Sequence, residues 1–211
     1  YERGKLDLND PVGKYLKDVP ESWKPVSILQ LMQHSSGIAD YRAQKGFDVS
    51  ADYRPEQLIE TVAALPLAFE PGTDVKQSAT NFLLLTSIIE KAGKMPYHDF
   101  VKKYQIDYLG LRQTFFGEDL AKVKQEDVTT TGNVHQTFKK DRDYINPSET
   151  TTGYVEKDGR LVAAPAVSPT ALKGFSDIWA SAENVSHWDI GLAGSALIEK
   201  PENRDIVYKP T

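Results

Sequence analysis

The chain has 211 residues, 40% of them hydrophobic and 26% charged, with a net charge of −5 and no cysteine. That is an ordinary globular composition, and one domain, 1–211, is expected to bury about 70% of its unfolded surface. The missing cysteines exclude disulfides, zinc–thiolate sites and thiol nucleophiles. The acidic balance gives no reason to expect nucleic-acid binding, and no uninterrupted apolar run of about 18 residues predicts a membrane span.

Along the chain, Pro11, Pro20 and Pro25 confine the first 25 residues to loop with a short helix near Asp10 to Leu16. Val26 to His34 predicts a helix with Ile28, Leu31 and Met32 on one face, ending at Ser35-Ser36-Gly37. Pro55 suits a first helical position, and Leu58, Ile59, Val62 and Leu65 form the stripe that follows it up to Pro66. After the Pro71-Gly72 turn comes a short polar ledge, Lys76-Gln77-Ser78, and then a helix over Ala79 to Ala92. Phe82, Leu85, Ile89 and Ala92 make its predicted face, widened by Leu84 and Ile88. A further helix begins at Pro96, with Phe100, Val101 and Tyr104 inward, and stops near Gly110. Residues 118–150 are polar with few periodic signals, and Lys139-Lys140-Asp141-Arg142 reads as a solvated loop. Tyr154 to Val162 predicts a hairpin around Asp158-Gly159. Ser181 is placed to cap a helix carrying Glu183 in its first turn, with Val185, Trp188 and Leu192 inward. The last predicted structure lies near Asn203 to Tyr208. The content is helix-rich with a few antiparallel strands.

Elementary motif chemistry finds little. His34, His98, His135 and His187 share no metal-ligand spacing, so no metal site is predicted, and His34, at a helix end, reads as a cap or surface residue. No nucleophile-elbow or phosphate-loop pattern occurs. The ledge before the buried helix is either a plain helix start, with Ser78, Thr80 and Asn81 as capping groups, or the remains of a site.

Five segments carry a resemblance: "ERGKLDLNDPVGKYL", "VSILQLMQHSSGIADY", "FEPGTDVKQSATNFLLLTSIIEKAGKMPYHDF", "YLGLRQTFFG" and "GFSDIWASAENVSHWDIGLAG". Together and in this order they resemble the serine β-lactamase-related family of class C β-lactamases, penicillin-binding DD-peptidases and serine esterases. The resemblance implies an α+β fold, of which this chain is the mainly α helical lobe with a few short antiparallel strands, lacking the N- and C-terminal sheet segments. It implies acyl transfer on a small-molecule or peptide-like substrate, no cofactor, and a periplasmic or extracellular location, although the charged opening YERGKLDLND shows no signal-peptide core.

The family's nucleophile lies in an S-x-x-K, whose lysine takes or relays the hydroxyl proton. No serine here is followed three residues later by lysine. The resemblance places that motif upstream of Tyr1, and a K-T-G strand beyond Trp188 that the chain does not contain before Thr211, so a middle fragment of a longer protein is expected. The family's second element, Y-x-N, falls in register on Gln77, Ser78 and Ala79. Glutamine cannot exchange a proton near neutral pH and alanine has no donor, so the acid/base role at this motif is in doubt. Asn81 remains as a polar candidate for substrate binding. Three functions are consistent with this: a segment of a serine hydrolase, a non-catalytic relative acting as a binding or scaffolding module, and a helical interaction domain unconnected with acyl chemistry. A chain without the two sheet ends is expected to expose apolar surface around Phe175, Ile178 and Trp179 and either to self-associate or to be poorly ordered there, the alternative being that Trp179 and Trp188 fill the lobe's own core.

Overall fold

Two prolines set the entry to the fold. Pro11 bridges Ser27 in an isolated antiparallel pair, and Val12 N–H donates to Val26 O at 2.8 Å. The computed structural model describes residues 1–122, 130–131, 134–135 and 151–208. Within the bridge lies the single turn α1 (Val12–Tyr15), followed by α2 (Ile28–Met32) and α3 (Pro55–Ala63). Ser27 opens α2 with a reciprocal capping box to Gln30, the arrangement that satisfies two orphan N–H groups at once. Ile28 and Leu31 are buried as the periodicity predicts, whereas Met32 is exposed because α2 ends there. Likewise α3 stops at Ala63, so Leu58 and Val62 are buried while Leu65 lies outside the helix and faces solvent.

The central helix is α4 (Ala79–Gly93). Its most buried side chains are Ala79, Leu83, Leu84 and Ile88, and Phe82, Leu85, Ile89 and Ala92 are half-buried. The predicted face is therefore displaced by one residue. The helix packs against α1, α2 and α3 on one side and α5 on the other, so both its faces touch protein and periodicity alone cannot rank them. With Val12, Trp23, Val26, Leu31, Tyr41 and Leu58 it forms the main core.

After α5 (Tyr97–Val101) the backbone makes a π-turn at Lys102–Ile106 and one more turn, α6 (Asp107–Leu109). A π-turn inserts one residue into the helical repeat. The inward position following Val101 is consequently Ile106, and Tyr104, expected inside, lies outside beneath the Arg3 guanidinium. Tyr97, Val101, Ile106, Leu111 and Phe116 make a second core, with Trp188 packed on its edge.

The strands are short and antiparallel: β1 (Thr114–Phe116) with β6 (Ile178–Ala180), β2 (Thr130–Thr131) with β3 (Val134–His135), and β4 (Tyr154–Lys157) with β5 (Arg160–Ala163). The hairpin turns at Asp158 and Gly159, both at positive φ, as an Asp-Gly turn of the primed type requires. β1 and β6 pair Phe115 with Trp179 across a long separation and are additions to the sequence reading, as is α7 (Gly117–Lys122). The Lys139–Arg142 cluster lies outside the described residues.

Helix α8 (Ala182–Ala193) begins at Ser181, whose hydroxyl accepts from Asn184 N–H at 3.1 Å, as expected. Its inward face is different. Asn184 and Gly191 are buried, Trp188 and Leu192 half-buried, and Val185 is 53% exposed. Asn184 Oδ1 accepts from Gln113 N–H (2.8 Å) and Thr114 Oγ1 (3.1 Å), which turns the helix so that Val185 points away. Helix α9 (Pro201–Tyr208) closes the described chain. Its start is bonded by the Glu2 carboxylate, which accepts from Glu199 N–H, Lys200 N–H and Asn203 Nδ2.

Candidate functional site: a clamped ledge at the start of the central helix

The segment before α4 is held by main-chain bonds to the turn that follows α2. Gly72 N–H donates to Ser35 O at 2.8 Å, Lys76 N–H to His34 O at 3.0 Å, and Ala68 N–H to Gly37 O at 2.8 Å. Gly37 has φ +72, and a Cβ there would overlap the Phe69 carbonyl oxygen. Only glycine meets both conditions at once, so Gly37 is a structural requirement of the ledge.

Side chains complete the attachment. Ser36 Oγ donates to Asn81 Oδ1 at 2.7 Å and accepts from Ile38 N–H at 3.0 Å. Thr80 Oγ1 donates to Ala39 O at 2.7 Å and accepts from Tyr41 N–H at 3.1 Å. Ser78 occupies the N-cap of α4 in extended conformation, yet its hydroxyl makes no cap bond and turns to Ala39 O at 3.3 Å. The expected capping by Ser78 or Thr80 is thus replaced by bonds across to the 36–41 loop. In a buried setting, unpaired Ala39 and Tyr41 backbone groups cost more than an uncapped helix end.

His34 lies beneath the ledge with φ +59. Its Nδ1 accepts from Ser78 N–H at 3.2 Å and lies 3.4 Å from Asn81 Nδ2, and its ring rests on Phe82 with centroids 5.1 Å apart. Burial lowers its pKa from the ordinary histidine value; Asp40 acts in the opposite direction and Arg42 in the same one. Sequence reasoning read this residue as a cap or surface group. Its position at a helix end, directly before Ser-Ser-Gly, was the available signal.

The four residues in question are placed as follows. Gln77 is exposed at the lip, Ser78 and Ala79 are buried behind it, and Asn81 is fully buried with its amide occupied by Ser36 and His34. Gln77 offers an amide donor and acceptor to solvent, with the Lys76 side chain exposed beside it. Nothing on the lip itself transfers a proton near neutral pH except through groups brought to it. A histidine–carboxylate pair, His98 Nε2 to Asp119 Oδ2 at 3.0 Å, lies elsewhere, against Phe116, with no serine hydroxyl bonded to His98 among the described residues. No group of three or more His, Asp or Glu able to hold a metal occurs among those residues, and no described helix is long and apolar enough to cross a membrane.

The described chain is thus mainly helical with few short antiparallel strands, and its central helix begins at a fixed, solvent-facing lip beside a tight Ser-Gly turn. The chain belongs to the β-lactamase family, whose sequence model matches residues 1–207. It is 31% identical over 117 residues to a penicillin-binding protein of Bacillus subtilis (strain 168), covering 54% of this chain and 26% of that one. It is 27% identical over 123 residues to a protein of Salmonella typhimurium named as a D-alanyl-D-alanine carboxypeptidase, covering 54% and 28%. Among solved structures, a D-stereospecific amidohydrolase from Streptomyces sp. superposes with a TM-score of 0.76 at 21% identity, over 99% of this chain and 60% of that one; at that identity the likeness shows the fold. The matched segments thus amount to about a quarter of the length of these curated relatives. Family membership removes the reading of an unrelated helical interaction domain.

Proposed function

We propose that the chain is the cleft-forming helical lobe of a serine acyl hydrolase that works outside the cytoplasm on a small-molecule or peptide-like acyl group. In this reading the nucleophilic serine and its lysine come from outside these 211 residues. The observation that supports it is the ledge: Lys76 and Gln77 face solvent while Gly72, Lys76, Ser78, Thr80 and Asn81 are each bonded to the 34–41 loop. A plain helix start needs one cap, and this one has none; the effort goes into holding a lip in place, as a substrate-facing edge requires.

Proton transfer in this reading runs between the serine hydroxyl and the lysine, with Gln77 supplying hydrogen bonds only. Asn81 serves the site through its bonds to Ser36 and His34. The test is covalent labelling of the longer polypeptide by a fluorescent penicillin or a fluorophosphonate, followed by intact mass. One adduct per chain, an acyl group from the penicillin or a phosphonyl group from the fluorophosphonate with loss of fluoride, is expected and is lost when the S-x-x-K serine is changed to alanine; no adduct with either probe overturns the reading.

A second reading is favoured by one observation. Gln77 and Ala79 occupy the two positions where the resemblance calls for tyrosine and asparagine, which fits a relative that binds such a group without turning it over. Saturable binding of a penicillin by calorimetry, with no adduct and no turnover, would select it.

A further inference from the structure

His34 is joined to the ledge twice, through its main chain and through its ring. The carbonyl accepts from Lys76 N–H at 3.0 Å. Nδ1 faces two donors, Ser78 N–H at 3.2 Å and the Asn81 amide nitrogen at 3.4 Å. A nitrogen on which donors converge carries no hydrogen, so the neutral ring is protonated at Nε2. The positive φ of 59° also matters, because it turns the side chain toward α4, and histidine and asparagine are among the residues that tolerate it.

We propose that neutral His34 is the positioning residue of the ledge, and that protonation of its ring loosens the ledge at Ser78. The inference rests on the reading of the ledge as a cleft edge only for its consequence in catalysis. Adding a proton to Nδ1 sets N–H against N–H. Ser78 N–H and the Asn81 amide each lose an acceptor in a mostly buried setting, where an unmatched donor is costly. The main-chain bond from Lys76 and the Ser36–Asn81 bond survive, so the lip loosens without the helix unfolding.

The charged groups that act on the ring are Asp40, which favours the cation, and Arg42, which favours the neutral form. They are paired with each other, Arg42 Nη2 to Asp40 Oδ2 at 2.6 Å, so their fields largely offset. Lys76, from the returning segment, adds positive charge at the lip. Burial is the leading influence and disfavours the cation, which places the loosening on the acid side of the ordinary value of 6.5. The ledge is therefore held at neutral pH and loosened in acid.

The test uses nitrogen-15 NMR and amide exchange on the 211-residue chain. His34→Asn keeps an acceptor at the same side-chain position, accepts positive φ and cannot titrate. His34→Phe keeps a ring on Phe82 and removes the acceptor. In the native chain the His34 nitrogens should show hydrogen at Nε2 alone at neutral pH, and the Ser78 amide shift should titrate with the ring. Exchange at Ser78, taken relative to Leu84 and corrected for intrinsic rate, should be about tenfold faster in His34→Phe. His34→Asn should restore protection and make it independent of pH. Hydrogen on Nδ1 at neutral pH, a Ser78 amide indifferent to His34 titration, or His34→Asn as unprotected as His34→Phe would each overturn the proposal. If His34→Phe does not fold, the native chain against His34→Asn decides. None of these readouts involves turnover, so they stand or fall separately from the hydrolase reading.

Discussion

Gln77 shows how a residue's place and its chemistry separate. The backbone on either side of it is fixed by bonds to His34, yet the side chain that reaches solvent ends in an amide. Asp177 is the opposite case, a titratable group largely buried from solvent. It is 8% exposed, and of its carboxylate oxygens Oδ2 accepts from Gly174 N–H at 2.8 Å. Burial raises its pKa above 3.8, with the Gly174 bond acting against it. A carboxyl with a raised native pKa binds its proton more tightly folded than unfolded, so its contribution is most favourable below 3.8 and is lost as pH rises through the native value. Asp177→Asn, which keeps an acceptor for Gly174, is expected to raise the urea midpoint at pH 7 and to leave it unchanged or lower at pH 3. A lower midpoint at pH 7 would show the ionised carboxylate to be a stabilising partner.

At the scale of elements, the start of α4 and the start of α8 offer a contrast. Ser181 makes a true N-cap bond to Asn184, whereas Ser78 does not cap and its hydroxyl only shares Ala39 O with Thr80. Thr80→Val should therefore cost about 1–3 kcal/mol, because it strands Tyr41 N–H in the core. Ser78→Ala should cost less than Ser181→Ala, which loses a cap worth about 1 kcal/mol. Equal losses at 78 and 181 in urea unfolding would mean that Ser78 caps in solution. The same elements show what could be read in advance. The capping serine of α8, the Asp-Gly hairpin and the helices at Pro55 and Ala79 follow from local chemistry, and all are present. What was missed is non-local. The β1–β6 pair joins residues more than 60 positions apart. The rotation of α8 comes from a buried asparagine and from Gly191 against Leu109, neither of which registers in a hydrophobic stripe. The π-turn at 102–106 shifted the inward residue to Ile106. At the candidate site, register sets Gln77 and Ala79 on the Y-x-N positions as an expectation from the resemblance, whereas the approach of His34 to the ledge depends on a left-handed backbone that only the fold displays.

For the whole molecule, the two cores lie on the two sides of α4, and the face bearing β6 is less covered. Ile178 and Trp179 are each 41% exposed, while Phe175 is half-buried against Phe82 and under the Arg42 guanidinium. Trp188, by contrast, fills the edge of the second core and donates to Gln105 Oε1 at 2.9 Å. Among the described residues the packing is thus close around α4 and more open near β6. In the proposed reading the chain places a lip without supplying the proton-transfer group. Steady-state hydrolysis by the longer polypeptide, native against Gln77→Ala, tests it most directly. The account predicts a change in rate of less than about tenfold, with activity abolished by loss of the nucleophilic serine; a fall of about a hundredfold or more in Gln77→Ala, with the circular dichroism spectrum unchanged, would contradict it.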